Sequence, residues 1–240
     1  MYDIHSHILP MVDDGASSVE MALFMLDQAY RDGTDAVVLT PHFATVYDFY
    51  NPKDKVIELY NDLKYIVKKE HIPVEIYVGC EFLYTSKQSF LKHLDEITTM
   101  NNTNYILVEF YFDVDEEVIL EAVDVIKEHH LIPIIAHPER FECFWYNSHL
   151  AISIKNKGGL LQMNKGSVLG KYGTRVKETV LELLELKLIS FVGSDAHHPY
   201  KRSSLMYEAY DYMNTYYDQD YVKDLFINNP KKMLEGIDIR

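Results

Sequence analysis

Short apolar runs alternate with longer amphipathic stretches along most of the chain. The runs are Tyr2-Ile4, Ala36-Leu39, Val74-Val78, Tyr105-Val108, Ile132-Ala136, Leu160-Met163 and Ser190-Val192. Each is too short for a helix and suits a short strand. Helical spacing occupies 18–32, 53–70, 115–130, 147–157 and 174–187, and a last helical pair is expected at 200–214 and 219–227.

Local signals agree with this pattern. Ser17 and Ser18 followed by Glu20 form an N-terminal cap signal ahead of Met21, Ala22, Met25, Leu26 and Ala29, which share one helical face. Gly33 ends that helix, where a left-handed residue is wanted. Seven strands alternating with helices imply parallel pairing through right-handed crossovers, hence an α/β barrel. No linker, repeat or low-complexity tract interrupts the 240 residues, so a single domain over 1–240 is expected.

Composition narrows the function. Hydrophobic residues make up 48% and charged residues 25%, ordinary for a soluble globular domain. A formal net charge of −14 argues against sequence-independent nucleic-acid binding, which needs a basic surface to displace counterions. The acidity is compatible with a phosphate substrate met by metal ions. Two cysteines, Cys80 and Cys143, do not make a disulfide scaffold. No apolar stretch reads as a signal peptide or membrane span, so a cytoplasmic protein is expected.

Placing His and acidic residues on the strand map concentrates the chemistry. His5 and His7 follow the first strand and Asp14 lies just beyond; His42 ends the second, Glu81 the third and Glu109 the fourth. His137 ends the fifth, and Asp195 and His197 end the seventh. In a parallel barrel these ends meet at one mouth. Nine donors exceed what one ion takes, and a mixed imidazole–carboxylate set suits two or three Zn, Mn or Fe ions, with Co also admissible. Close metal ions suit phosphoryl transfer, because they polarise the phosphate, supply hydroxide near neutral pH and stabilise the leaving oxygen. The remaining histidines, His71, His93, His129, His130, His149 and His198, are expected at the surface or in ordinary hydrogen bonds.

Arg140 and Arg202 lie three residues beyond His137 and five beyond His197, placed to grip phosphate oxygens with planar, permanently charged forks. His42 and His197, though read as ligands, are also candidates to take part in catalysis. A cysteine-nucleophile phosphatase would need an Arg six positions after its Cys; Ser86 and His149 stand there instead. The aromatic loop 43–50, with Tyr111, Phe112, Phe141 and Trp145, either flanks an aromatic substrate or packs on the rim.

Several of these segments carry a family resemblance. Asp-Ile-His-Ser-His-Ile-Leu-Pro at 3–10, Val-Asp-Asp-Gly at 12–15, Thr-Pro-His at 40–42, Ala-His-Pro-Glu-Arg at 136–140 and Gly-Ser-Asp-Ala-His at 193–197 resemble the polymerase and histidinol phosphatase (PHP) superfamily. More narrowly they resemble its bacterial manganese-dependent protein-tyrosine phosphatases, associated with capsular and exopolysaccharide synthesis; Leu161–Gly170 is similar to that branch too. The resemblance implies an α/β fold, a distorted seven-stranded (β/α) barrel (the PHP fold), with a trinuclear Mn²⁺ site. Carried over by motif, His5, His7, Glu81 and Asp195 hold one ion, Glu81, Glu109 and His137 a second, and Asp14, His42 and His197 a third, while Arg140 and Arg202 grip the phosphate. It also implies a phosphotyrosyl protein as substrate, a tyrosine-rich tail of a bacterial tyrosine kinase. Two positions depart from the pattern: His198 stands where Asn is expected, and Met11 where Gly is common.

Four other functions compete with this one. A small-molecule phosphatase, such as one acting on histidinol phosphate, uses the same scaffold. A nuclease is disfavoured by the acidic charge, and a binding protein that had lost catalysis would have lost ligands. An amidohydrolase-like reaction would want a bridging Lys, and only Lys165 stands at a strand end.

Overall fold

The computed structural model describes residues 1–240. Nine strands form: β1 (Tyr2–Ser6), β2 (Ala36–Leu39), β3 (His42–Phe43), β4 (Glu75–Val78), β5 (Glu81–Leu83), β6 (Tyr105–Glu109), β7 (Ile132–Ala136), β8 (Leu160–Asn164) and β9 (Phe191–Gly193). All pairings are parallel. One sheet has the order β1-β2-β4 and the other β3-β5-β6-β7-β8-β9. The far edges approach each other: Ser6 bridges to Ala196, the His7 amide donates to the Ala196 carbonyl at 2.8 Å, and the Asp195 amide to the His5 carbonyl at 2.8 Å.

The strand count therefore differs from the seven expected, and the cause is local. The second run breaks at Thr40-Pro41, because Pro41 has no amide hydrogen for a ladder. The third breaks at Gly79-Cys80, where a Cβ on Gly79 would lie 2.7 Å from the Met100 sulfur. Beyond each break the chain resumes as β3 and β5, which pair with His42 opposite Glu81 and pass the ladder on to β6. The breaks move the two site residues from one sheet to the other.

The helices are α1 (Val19–Arg31), α2 (Lys53–Lys69), α3 (Lys87–His93), α4 (Glu116–Glu128), α5 (Ser148–Asn156), α6 (Lys165–Val168), α7 (Thr174–Glu185), α8 (Tyr207–Tyr216), α9 (Gln219–Lys223) and α10 (Asn229–Leu234), with a π-helical turn joining the last two. Ser18 caps α1 by accepting from the Met21 amide at 3.2 Å, and Gly33 follows with φ +92°. The expected helix at 200–214 starts only at Tyr207. Residues 198–206 instead form a pinned loop: the His197 and His198 amides both donate to the Arg202 carbonyl, and Ser204 Oγ donates to the Met25 carbonyl at 2.8 Å. Helix α3, capped by Ser86, lies in a segment left unassigned by the periodicity.

Alternate strand residues face two ways. Ile106, Val108, Ile135 and Leu161 pack against α4, α5 and α7 in a cluster of 36 buried residues. Ile4, Val38, Leu107, Ile134, Ala136 and Phe191, from strands of both sheets, belong to a separate cluster of 12. The carboxyl ends of the strands above that second cluster carry the polar residues. No helix is long and apolar enough to cross a membrane.

Candidate metal centre

The carboxyl ends of β1, β6 and β7, the first residues of the short strands β3 and β5, and the loops after β1 and β9 bring together all nine donors anticipated from the strand map. His7, Asp14, His42 and His197 form one group with donor atoms within 4.8 Å of one another; His5, His7 and Glu81 form a second, and His42, Glu81 and Glu109 a third. His137 and Asp195 adjoin the second group, His137 Nε2 3.0 Å from Glu81 Oε1 and His5 Nε2 3.6 Å from Asp195 Oδ1. The grouping differs from the sets implied by resemblance: His7 also reaches the Asp14 group, and His42 joins Glu109.

Glu81 is the hub. It is almost fully buried, its Oε1 lies 3.2 Å from His5 and 3.0 Å from His137, and its Oε2 lies 3.3 Å from His7 and 3.2 Å from His42. Burial raises its carboxyl, but these imidazoles outweigh that and hold it well below the ordinary range. Asp195 divides its carboxylate. Oδ1 faces His5, His7 and His197 at 3.5–3.6 Å, while Oδ2 accepts from Asn164 Nδ2 at 2.8 Å and pairs with Arg202 at 2.6 Å and Arg140 at 3.5 Å. His137 and Asp195 both have positive φ, +34° and +53°, a costly backbone state for such residues that tends to occur at functional sites.

Residues around the donors fix the imidazole tautomers. His5 Nδ1 pairs with the Gln162 amide oxygen at 2.9 Å, His7 Nδ1 with Asp13 at 2.8 Å, and His197 Nδ1 with the Asp195 carbonyl at 3.0 Å. Because each acceptor needs an N–H on Nδ1, each ring turns an Nε2 lone pair toward the centre, the arrangement typical of metal-bound histidine. Burial and the neighbouring His7 push His197 down to about 4, so it is neutral at neutral pH and able to donate a lone pair.

A divalent ion fits this donor set. His197 Nε2, His42 Nδ1, His137 Nδ1 and Glu81 Oε2 are buried without a hydrogen-bond partner, which is costly unless another ligand satisfies them. His5 Nε2 and His7 Nε2 lie 3.3 Å apart; two nitrogens about 2.1 Å from one tetrahedral ion would be about 3.4 Å apart. Backbone clearance is small: a Cβ on Gly15 would lie 2.0 Å from the His7 carbonyl oxygen.

Sequence reasoning overlooked the supporting residues. Asp13, adjacent to the anticipated Asp14, orients His7 and also accepts from the His42 amide at 3.0 Å. Glu139 is buried and accepts from the Asn164 amide and Ser167 Oγ, fixing the segment from which Asn164 reaches Asp195. The segment 164–166, the one strand end without a His or acid, thus acts through Asn164.

Other candidates lie outside the cluster. His93 pairs with Glu96 at 2.6 Å, and His198 Nδ1 accepts from the Tyr200 amide. Lys165 Nζ is turned to Ser203 and the Leu205 carbonyl, not to the donors. Cys80 is buried, and burial pushes its thiol up to about 12, the wrong direction for a nucleophile. The aromatic loop divides: Phe49 stacks on the His42 ring, whereas Tyr47 is exposed and meets Tyr111 edge-on at 6.2 Å. Tyr47, Tyr111, Phe112 and Glu109 line a hollow of about 100 Å³ beside the donors.

Known proteins resemble the chain over nearly its whole length. The chain is 30% identical to tyrosine-protein phosphatase CpsB of Streptococcus pneumoniae, over 98% of each chain. It is 35% identical to tyrosine-protein phosphatase YwqE of Bacillus subtilis (strain 168), covering 87% of this chain and 82% of YwqE. A chain from the crystal structures of YwqE and of S. pneumoniae CpsB, described as unique metal-dependent tyrosine phosphatases, superposes with a TM-score of 0.91 at 31% identity, covering 100% of this chain and 96% of that one. A Listeria monocytogenes lactonase, Lmo2620, shares only the fold, with a TM-score of 0.60 at 13% identity, covering 97% of this chain and 94% of that one. The family model for capsular polysaccharide synthesis, CpsB/CapC, matches residues 1–235, and the chain belongs to that family.

Proposed function

We propose that the chain is a metal-dependent protein-tyrosine phosphatase, a phosphoric monoester hydrolase whose substrate is a phosphotyrosyl protein in capsular or exopolysaccharide synthesis. The observation that carries the reading is Asp195, which turns one oxygen to three imidazoles of the donor cluster and the other to Arg140 and Arg202. A phosphate placed there meets the donor set and two guanidinium groups at once. The specificity for tyrosine is supported by the relatives' activity and by exposed Tyr47, Tyr111 and Phe112 beside Glu109.

In this reading His5, His7, Asp14, His42, Glu81, Glu109, His137, Asp195 and His197 hold two or three divalent ions, Mn²⁺ by preference, with Fe, Zn or Co also suited to the donors. When bound, such ions supply Lewis-acid stabilisation of phosphoryl oxygens and lower the pKa of water. The protein's own part is positioning. Glu81 spans the groups, and Gln162, Asp13 and the Asp195 carbonyl hold three imidazoles in the tautomer that points inward. Arg140 and Arg202 bind the equatorial phosphoryl oxygens as negative charge shifts among them. Phenolate, with a pKa of about 10, leaves more readily than an alkoxide, so a weak proton donor suffices. His42 and His197 are the imidazoles nearest the open side, and neither cysteine takes part.

The same reading treats residues 1–240 as one catalytic domain and the two sheets as a distorted seven-stranded barrel, each broken strand counted once. It places the enzyme in the cytoplasm, acting on the tyrosine-rich tail of a bacterial tyrosine kinase. The test is turnover of the Mn²⁺-loaded protein on a phosphotyrosyl peptide and on histidinol phosphate in parallel. Preference for the peptide supports the assignment. Preference for histidinol phosphate would keep the metal chemistry and overturn the substrate.

A further inference from the structure

Arg140 and Arg202 are held in different ways. Arg202 Nη2 lies 2.6 Å from Asp195, whereas Arg140 makes one ion pair, at 3.5 Å, and no side-chain hydrogen bond. A guanidinium with so little polar restraint would ordinarily sample many rotamers. Arg140 instead lies over two rings, its Cζ 4.6 Å from the centre of Phe112 and 5.1 Å from that of Tyr172. The rings come from separate loops, Phe112 after β6 and Tyr172 after α6, while Arg140 sits in the turn after β7.

Tyr172 is held by packing, and Phe112, though half exposed, by its backbone and one ring neighbour. Tyr172 packs on Gly166, where a Cβ would lie 2.9 Å from its ring. The Phe112 carbonyl accepts from the Glu142 amide at 2.9 Å, and its ring contacts Phe141. A cavity of about 330 Å³, lined by Phe112, Glu142, Trp145, Tyr172 and Val176, opens beside Arg140.

We infer that Phe112 and Tyr172 are positioning residues that hold the Arg140 guanidinium by its face and leave its edge free for phosphate. The inference rests on the phosphate-binding role proposed for Arg140. Its basis is the shape of the charge: a guanidinium donates hydrogen bonds only in its plane, while its faces are attracted to aromatic rings. Ring contact therefore restrains the group without using the N–H donors that a phosphate needs, whereas a carboxylate partner would compete for them.

The experiment is a calorimetric titration of Mn²⁺-loaded protein with inorganic phosphate, which has no ring of its own to interact with Phe112. Phe112→Leu and Tyr172→Leu are each expected to weaken phosphate binding by roughly 2- to 30-fold, the range of a cation–π contact, with unchanged metal content. Tyr172→Phe should bind as the wild type, and KM for a phosphotyrosyl peptide should rise more than kcat falls in the Tyr172→Leu protein. In an Arg140→Ala background neither Leu substitution should weaken phosphate binding further. Wild-type affinity in both Leu variants, or an equal loss with and without Arg140, would overturn the clamp while leaving the role of Arg140 intact. Wild-type affinity in Arg140→Ala alone would instead overturn the phosphate role on which the clamp rests.

Discussion

Gly193→Ala tests how closely the chain must pass the donor cluster. Gly193 ends β9 opposite Asn164, and its φ is not in the left-handed region, so the backbone itself accepts alanine. The added Cβ is the difficulty: it would lie 2.6 Å from His5 Cβ and 2.9 Å from Gln162 Nε2. Gln162 has a side-chain amide that can rotate away, but His5 Cβ is fixed to β1. Carbon atoms prefer about 3.5 Å or more, so β1 and β9 must separate by about 1 Å, against the Asp195 amide to His5 carbonyl bond that ties them. Overpacking of this kind costs about 1–3 kcal/mol, or about 2–12 °C of Tm in a chain of this size. The larger effect is on function. Displacement of a catalytic group by about 1 Å can cost about 100-fold in rate, and here it moves both His5 and its tautomer-setting partner. The assay is bound manganese after dialysis, thermal unfolding and turnover on a phosphotyrosyl peptide, with circular dichroism to establish folding. A folded variant with full metal content and wild-type turnover would refute the reasoning.

Three further outcomes are expected. Met11 is exposed with φ +63°; a left-handed residue costs about 1–2 kcal/mol and glycine's entropy about 0.5–1 kcal/mol, so Met11→Gly should raise Tm by a few degrees, and a lower Tm would show that Met11 makes contacts that matter. Native protein treated with iodoacetamide at pH 8 should retain unmodified Cys80 and full turnover, and inactivation accompanied by Cys80 labelling would contradict the placement of that thiol. Burial lowers Lys165 to about 8 from an ordinary 10.5; the unfolded chain then binds more protons than the folded one between those values, so stability from this group rises with pH across that window, by at most about 3 kcal/mol. The stability difference between wild type and Lys165→Met should move in favour of the wild type from pH 8 to 10.5, and a flat difference would show that Lys165 titrates normally.

What the sequence disclosed follows the physics of each element. Buried parallel strands read as short apolar runs, and most of these runs are followed by a His or an acidic residue, so the nine candidate donors could be collected at or just beyond the ends of the runs, Asp14 in the loop after the first. The breaks at Pro41 and Gly79 were visible as residues, but their consequence depends on which sheet the next residues join, a tertiary choice. Helical periodicity at 200–206 misled because apolar Met206 and polar Ser204 are buried there by a pinned loop rather than by a helix face. Asp13, Gln162, Asn164 and Glu139 lie in segments that carry the family resemblance, but neither residue type nor spacing assigned them a role. They act through hydrogen bonds that exist only in the folded chain, Glu139 by way of Asn164, and Tyr172 finds Arg140 only once the loops after β7 and α6 are folded together. Met11 is the reverse case: its departure from glycine was plain in the sequence, and the positive φ explains why glycine suits the position.

The proposed reaction depends on metal held by the donor cluster. The direct test is to strip the protein with a chelator, measure residual phosphate release from a phosphotyrosyl peptide, and add back manganese while counting bound ions by elemental analysis. Turnover is expected to be lost on stripping and to recover in step with two or three ions bound per chain, with Glu81→Gln recovering neither. Full turnover in verified metal-free protein, or full recovery in the Glu81→Gln variant, would contradict a metal-dependent reaction at this cluster.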